Sequence, residues 1–251
     1  MNGSVTRVGG IIRKELTEFR RNRFIVLTAV ILPVIFLVSP TAQILAAKTS
    51  TVLTDAIQKR IDYAVFFPLL IPVFVPSVMS AYSVVGEREQ GTLEPVLTTP
   101  VSKVELLAGK AAAIFVPTVA IAYLMFGVFI AVVEIWASPV IATAVLHAPA
   151  LPAELVFIPL LAAWAIWVGL AVSTRASETR VAQQLTVLAS LPPAAVTALM
   201  SFNVITPTFA LAAAFAVALL AIDCAACFFV ARIFDRERLV TGTQPARRSA
   251  G

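Results

Sequence analysis

The feature that most constrains this chain is a charged segment that lies between two long uncharged stretches. Glu87 to Lys110 read EREQGTLEPVLTTPVSKVELLAGK, whereas Tyr63 to Gly86 and Ala111 to Val133 contain no charged residue. At ~1.5 Å of rise per residue, each uncharged stretch is long enough as a helix to cross ~30 Å of hydrocarbon. The charged segment must therefore lie outside the bilayer.

Composition places the whole chain in a membrane. Hydrophobic residues make up 59% of the sequence and charged residues 13%, against roughly 25% charged in soluble domains. We therefore predict an all-α, polytopic membrane protein in which residues 1–251 form a single transmembrane domain. The net charge of +5 favours contact with an anionic lipid leaflet over nucleic acid, which we exclude as a partner.

Charge-free windows predict six spanning helices, the last two being separated around Asn203 to Pro207. The predicted spans are Phe24 to Ala47, Tyr63 to Gly86, Ala111 to Val133, Leu155 to Thr174, Val181 to about Phe202, and about Thr208 to Ala231. Six spans put both termini on one side of the membrane. Of the 19 lysine and arginine residues, only Lys48, Lys59 and Arg60 fall on the opposite side, so the termini and residues 87–110 are predicted to be cytoplasmic.

Three segments flank or interrupt the six-span bundle, residues 24–231. Residues 1–23 have an apolar face and a basic face, which predicts an amphipathic helix in the cytoplasmic membrane interface; the alternative is a solvated basic leader. Ile135 to Ala153 is apolar but carries three prolines, so we predict an external loop with short re-entrant or surface helices. Residues 232–251 form a basic cytoplasmic tail.

The charged segment carries the start and stop signals of two short helices. Gly91 interrupts the chain, Thr92 is a suitable N-cap, and a short helix from Leu93 to about Thr98 follows. Pro100 disfavours helix at the residue before it, and Ser102 with Glu105 forms a capping box that opens a helix running into the third span. Apolar residues at near-helical spacing predict a stripe that faces a partner on the cytoplasmic side: Leu93, Val96, Leu97, Val101 and Val104.

At these residues the chain resembles the permeases of type-2 ABC exporters. The resemblance is carried by EREQGTLE at Glu87 to Glu94, by TTPVS at Thr98 to Ser102 and by Gly109-Lys110. Supporting matches are RKEL at Arg13 to Leu16, GLAVS at Gly169 to Ser173, and Ala182-Gln183-Gln184. One departure is Pro95, where relatives commonly carry an apolar helix former.

The resemblance implies a six-span permease subunit whose segment from about Gly91 to Thr99 docks on a separate ATP-binding subunit. Two permeases, identical or different, and two ATPases would form a bacterial or archaeal plasma-membrane exporter in contact with lipids. The residues implied in ATPase coupling are Glu87, Arg88, Gly91, Thr92, Leu93, Glu94, Val96, Leu97 and Pro100. The sequence has no P-loop motif, since Ala111 follows Gly109-Lys110, so this chain is predicted to be no enzyme and to hold no cofactor, with ATP and Mg²⁺ used by the partner.

Polar and helix-breaking residues inside the spans are candidates for a substrate pathway or hinges. Pro68, Pro72 and Pro76 share one face of the second span, and Pro192-Pro193 is predicted to break the fifth. These prolines act either as hinges or as simple kinks. Asp223 lies well inside the sixth span, where it is either a polar group of the pathway, a proton-sensitive group or a structural hydrogen-bond partner.

Catalytic and metal sites have little support. His147 has no metal-ligand partner at suitable spacing, and Cys224 with Cys227 lack further ligands, so we predict no metal site. Two rival functions remain open: an integral-membrane enzyme that modifies lipids, and a non-transporting subunit that assembles partners. The substrate is unidentified; apolar spans are compatible with hydrophobic or lipid-like molecules.

Overall fold

The structure is a computed structural model that describes residues 2–47, 52–89, 91, 101–148, 150–206 and 208–233. Within these ranges every regular element is a helix, which confirms the all-α fold. The helices are α1 (Asn2–Arg21), α2 (Arg23–Ala46), α3 (Asp55–Phe66), α4 (Ile71–Ala81), α5 (Glu87–Glu89), α6 (Lys103–Trp136), α7 (Pro139–Leu146), α8 (Ala150–Ser173), α9 (Thr179–Ser201) and α10 (Phe209–Ile233). A 3₁₀ turn at Phe67–Leu70 joins α3 to α4, and a π-turn at Tyr82–Gly86 joins α4 to α5.

Among the described residues, six helical segments are long and apolar enough to cross a membrane, as predicted. The second is a continuous run of 35 residues from Asp55 to Glu89. It is longer than predicted because α3 begins at Asp55 and α5 continues to Glu89, with the 3₁₀ turn and the π-turn keeping the chain helical between them. The third begins at Lys103, where both hydrogen bonds of the predicted capping box between Ser102 and Glu105 are present. Ion pairs of Arg7 with Glu105 and of Glu87 with Lys110 place the start of α1 and α5 at the same end of the bundle as the start of α6.

Helix α8 is the centre of the bundle and packs against α4, α6, α9 and α10. Its side chains Ile158, Leu161 and Leu170 are fully buried. In contrast, α2 and α10 lie at the periphery, and only 17% of the residues in their most apolar windows are buried. Apolar side chains left exposed over such a length are suited to hydrocarbon rather than water.

Two glycines allow helices to approach closely. A Cβ atom built on Gly169 of α8 would lie 1.8 Å from Oγ of Ser80 on α4, and one built on Gly109 of α6 would lie 2.6 Å from Cγ2 of Ile11 on α1. No side chain fits at those separations. Small residues at helix contacts are a principal means by which spanning helices pack, because lipid supplies no hydrophobic drive between them.

Helix α1 has the predicted amphipathic pattern, but its apolar face contacts protein. Ile11, Ile12 and Phe19 pack against the core, where α1 lies along the first turns of α6. Leu16, which helical spacing places on the same face as Ile12 and Phe19, is 38% exposed. The position of α1 relative to lipid head groups stays a prediction, whereas its amphipathic pattern is explained by packing within the chain.

The prediction that Pro192 and Pro193 break the fifth span is wrong, because α9 continues from Thr179 to Ser201 through both residues. Proline lacks the N–H that an α-helix directs to the carbonyl four residues earlier. For Pro193 that carbonyl belongs to Ala189, and it accepts a 3.2 Å hydrogen bond from Nε1 of Trp164 on α8 instead. The neighbouring helix thus supplies the missing donor, and the role of these prolines as hinges stays a prediction.

At Pro159 of α8, a hydrogen bond from a neighbouring helix likewise replaces the missing backbone donor. The carbonyl left without its helical donor is that of Leu155, and the hydroxyl of Tyr123 on α6 donates to it at 2.7 Å.

The apolar segment before α8 contains the short helix α7, which agrees with the prediction of short helices there. Helix α8 itself begins already at Ala150, so Glu154, which the sequence analysis left outside the fourth span, lies within it.

Candidate functional site: a charge cluster at the end of the second span

Five charged side chains from three helices meet where the second span ends. We call this group the charge cluster: Lys14, Glu15 and Glu18 of α1, Glu87 of α5 and Lys110 of α6. Lys110 is fully buried, and Glu15 and Glu87 are 1% and 5% exposed. Charged side chains are almost never buried to this degree unless they are paired.

Lys110 is the centre of the cluster. Its Nζ atom lies 2.7 Å from Oε1 of Glu15 and 2.9 Å from Oε2 of Glu87. Nζ also donates a 2.7 Å hydrogen bond to the carbonyl of Ser83 in the π-turn. The contact with Glu87 is an ion pair without the angles of a hydrogen bond. One ammonium group therefore connects α1, α5 and the π-turn to the first turns of α6.

Lys14 completes the pairing from the solvent side. Its Nζ atom donates to Oε1 of Glu87 at 2.5 Å and lies 3.1 Å from Oε1 of Glu18. Burial acts to lower the pKa of Lys14, but its hydrogen bond to Glu87 and the surrounding carboxylates outweigh this effect, so the pKa is raised. Burial raises the pKa of Glu15, and Lys110 offsets part of this effect.

The carboxylates of Glu15, Glu18 and Glu87 lie close enough together to ligate a cation. Within the described part of the chain, however, the ammonium groups of Lys14 and Lys110 already bind these oxygens. The arrangement has the chemistry of an ion-pair network rather than that of a metal centre.

The two residues after Glu87 contact the connection between α8 and α9. The Arg88 guanidinium donates to the carbonyl of Ala176. Glu89 accepts hydrogen bonds from the backbone N–H of Thr179 at 3.0 Å and from its hydroxyl at 2.7 Å. A carboxylate at this position satisfies one free N–H at the start of α9 and complements the helix dipole. Glu87, Arg88 and Glu89 thus connect the second span to four other elements.

The start of α6 is also attached to α1. Glu105, in the first turn of α6, accepts hydrogen bonds from the Ser4 hydroxyl at 2.6 Å and from Nη2 of Arg7 at 2.7 Å. Its other oxygen accepts from the backbone N–H of Ser102 as part of the capping box. Hence Glu87 of α5 and Glu105 of α6 are both attached to α1 through charged groups.

The π-turn above the charge cluster is explained by one hydroxyl. In an α-helix the N–H of Val85 would donate to the carbonyl of Ala81. Here Oγ of Ser173, at the end of α8, accepts from the Val85 N–H and donates to the Ala81 carbonyl, both at 3.1 Å. The hydroxyl has entered the helical ladder and widened the turn, a deviation that occurs frequently at functional sites.

The predicted coupling residues are only partly covered by the described ranges. Glu87 and Arg88 lie at the charge cluster, and Gly91 has φ of 68° in the left-handed region that favours glycine. The other predicted coupling residues lie outside the described residues: Thr92, Leu93, Glu94, Val96, Leu97 and Pro100. Their role in docking stays a prediction.

The residues predicted for a pathway or hinge lie apart from the charge cluster, within the spans. Pro68, Pro72 and Pro76 are buried in the second span, and Asp223 is buried on α10. The structural hydrogen bond considered for Asp223 is absent among the described residues.

Sequence reasoning missed the pairing of Lys110 with Glu15 and the contact of Glu89 with α9. Both residues of that pair belong to motifs that carry the family resemblance, RKEL in the N-terminal helix and Gly109-Lys110 at the end of the charged segment. The available signal was a lysine next to a long charge-free run, since such a group needs a nearby acid.

Six candidate spans and a charge cluster at one end define a multi-pass membrane protein. The family model described as ABC-2 family transporter protein matches residues 10–215, and the chain belongs to this family. The match extends from α1 into α10 and includes every residue of the charge cluster. The chain is therefore a permease of an ABC transporter, a membrane transport component whose family implies a separate ATP-binding subunit. A comparison with curated proteins finds no match.

Proposed function

We propose that this chain is the membrane subunit of an ATP-driven exporter, with residues 91–100 as the docking segment for the ATPase. The observation that supports it is the set of contacts at Glu87, Arg88 and Glu89, which lie directly before that segment. In this arrangement both termini and the charge cluster are cytoplasmic, and ATP with Mg²⁺ binds to the partner. Two such permeases and two ATPases form the working transporter in a bacterial or archaeal plasma membrane.

The contacts of Glu87, Arg88 and Glu89 define how a displacement of residues 91–100 by the ATPase is transmitted to the bundle. A force on residues 91–100 acts first on α5, because α5 ends at Glu89, two residues before Gly91. Arg88 and Glu89 transfer that force to the connection between α8 and α9, while Glu87 transfers it to α1 and α6. Alternating access needs two arrangements of the bundle whose populations a partner can shift, and the central helix α8 is within reach of this route.

The test is co-purification of the permease with its cognate ABC ATPase subunit. Replacing Leu93 and Leu97 together with glutamate places two charges on the predicted apolar stripe, so we expect membrane insertion to persist and the ATPase to be lost from the complex. The matched control replaces Val52 and Val204 with glutamate; both are exposed, at 66% and 70%, and belong to connections on the opposite side of the bundle.

Retention of the ATPase by the Leu93→Glu, Leu97→Glu variant would contradict docking at this segment. Loss of the ATPase from the control as well would show that added charge disturbs the permease generally. Reconstituted vesicles then separate the rival functions, because an assembly subunit gives no substrate-stimulated ATP turnover and a lipid-modifying enzyme changes lipids without ATP.

A further inference from the structure

Two buried carboxylates within the spans lack a partner among the described residues. Glu154 on α8 is 1% exposed and Asp223 on α10 is 4% exposed. Neither oxygen of either side chain has a hydrogen-bond partner in the described part of the chain. The burial arises within a single protomer, so a second permease is not needed to cover these groups.

The two acids belong to one pair of helices. Helices α8 and α10 are the fourth and sixth spans, so they run in the same direction, and α10 packs chiefly on α8. The rings of Phe157 on α8 and Phe215 on α10 lie 5.4 Å apart and fix the register of the pair. Glu154 precedes Phe157 by less than one turn, whereas Asp223 follows Phe215 by about two turns.

The acids therefore occupy two depths on the seam between α8 and α10, separated by about 16 Å along the helix axes. Asp223 lies on the buried face of α10 together with Leu219 and Val230. Glu154 lies toward the end of the bundle opposite the charge cluster. The seam thus presents one acid near mid-depth and one near that opposite end.

The charge balance of the bundle leaves these acids without an internal counter-ion. Lys110 is the one lysine or arginine that is fully buried in the described residues, and Glu15, Glu87 and the Ser83 carbonyl already bind it. An isolated carboxylate in hydrocarbon costs at least a few kcal/mol, and such groups characteristically mark substrate or ion pathways. No residue in the described part of the chain supplies the complementary charge, so each acid is protonated, hydrated or paired with a cation from outside the chain.

We propose that the seam between α8 and α10 binds a lipophilic organic cation as the transported substrate, with Asp223 and Glu154 as successive counter-ions. The lining between the acids is apolar and aromatic, with Phe157 and Phe215 in contact, and aromatic faces attract cations. This inference deepens the proposed export function by giving the chemical class of the substrate. A small inorganic cation is disfavoured because it requires several oxygen ligands, whereas each depth offers one carboxylate.

The test compares two probes of matched size and opposite charge on the purified full-length permease in nanodiscs. Wild type is expected to bind radiolabelled tetraphenylphosphonium saturably and to prefer it over tetraphenylborate. Asp223→Asn and Glu154→Gln each remove one counter-charge and are expected to weaken tetraphenylphosphonium binding by about tenfold or more, since a pair at close range in a protein is worth a few kcal/mol. The double variant is expected to lose the preference for the cation.

The matched control is Glu134→Gln, which removes an exposed acid at the far end of α6. It is expected to bind tetraphenylphosphonium as wild type does. Each variant is also checked for a monodisperse elution profile, which we expect to be retained because an unpaired buried charge is replaced by a neutral amide of similar shape.

Equal binding of both probes by wild type, or unchanged tetraphenylphosphonium binding in the double variant, would overturn the proposal. Because binding is measured on the permease alone, its outcome is independent of the ATPase co-purification experiment. Retention of the ATPase by the Leu93→Glu, Leu97→Glu variant, together with the expected cation binding, would contradict the docking segment and leave the cation site standing.

Discussion

Replacing Lys110 with methionine tests whether the charge cluster holds the permease together. Methionine keeps most of the apolar length of lysine but removes the ammonium group. The change leaves Glu15 and Glu87 buried with only Lys14, whose Nζ atom lies 3.7 Å from Glu15 and 2.5 Å from Glu87. It also removes the 2.7 Å bond to the carbonyl of Ser83.

The expected loss follows from the asymmetry of buried ion pairs. Removing one partner leaves an uncompensated buried charge and costs about 3–5 kcal/mol of the free energy of unfolding. Removing Glu15 as well leaves Glu87 as the one buried acid of the cluster, still paired with Lys14. We therefore expect Lys110→Met to lose about 3–5 kcal/mol and the double variant Lys110→Met, Glu15→Gln to recover at least half of it.

The measurement is the free energy of unfolding by SDS titration in mixed micelles. The three tryptophans all lie in the bundle, on α6 and α8, and their fluorescence reports its opening. The control is Lys59→Met, which removes an exposed lysine from α3 and is expected to change stability by no more than about 0.5 kcal/mol.

A loss of less than about 1 kcal/mol in Lys110→Met would refute the reasoning, because it would mean that water or a rearranged side chain compensates the two acids. The reasoning would also be refuted if the double variant Lys110→Met, Glu15→Gln were less stable than Lys110→Met. Either result would show that the ion pairs are incidental to the stability of this end of the bundle.

Two further predictions concern helix contacts within the bundle. Gly169→Ala places a methyl group against Ser80 of α4, so we expect the free energy of unfolding to fall by about 1–3 kcal/mol. The double variant Gly169→Ala, Ser80→Gly is expected to recover much of this loss, and Gly127→Ala, where nothing lies within 4 Å, is expected to lose nothing. Equal stability of all three variants in the same titration would contradict the close approach. Trp164→Phe removes the hydrogen-bond donor that replaces the N–H missing at Pro193. A double-mutant cycle with Pro193→Ala is therefore expected to show a coupling energy of about 1 kcal/mol. Additive effects of the two substitutions would contradict this role of Trp164.

The spans were predictable because the membrane imposes one requirement on every residue of a long stretch. Over ~20 residues the absence of charge is a strong signal, and it located all six spans. The ends were less certain, since the signal stops at the first charged residue while the helix continues. The second span runs on to Glu89 because Glu87 is paired within the bundle, and pairing is invisible in a hydropathy pattern.

The charge cluster was not predictable in the same way. Lys110 and Glu15 are separated by 95 residues, and their meeting depends on α1 lying along α6, which Gly109 permits. The sequence shows a lysine beside a charge-free run and an acid in an amphipathic helix, but it does not show which acid meets which base. Likewise, Pro193 predicts a break in isolation, and only the tertiary contact from Trp164 keeps α9 continuous.

The second span combines a firmly attached end with a turn that is easily rearranged. Below the π-turn, α5 is attached by hydrogen bonds and ion pairs of charged groups, which are roughly twice as strong as neutral ones. Within the π-turn, the Val85 N–H and the Ala81 carbonyl are both bound to the hydroxyl of Ser173. If the Ser173 hydroxyl withdraws, these two groups can pair with each other as in an α-helix, so only the hydroxyl needs a new partner. A displacement of α5 is therefore accommodated at lower cost in the π-turn than at the charge cluster, and α8, which carries Ser173, is the helix that must move with it.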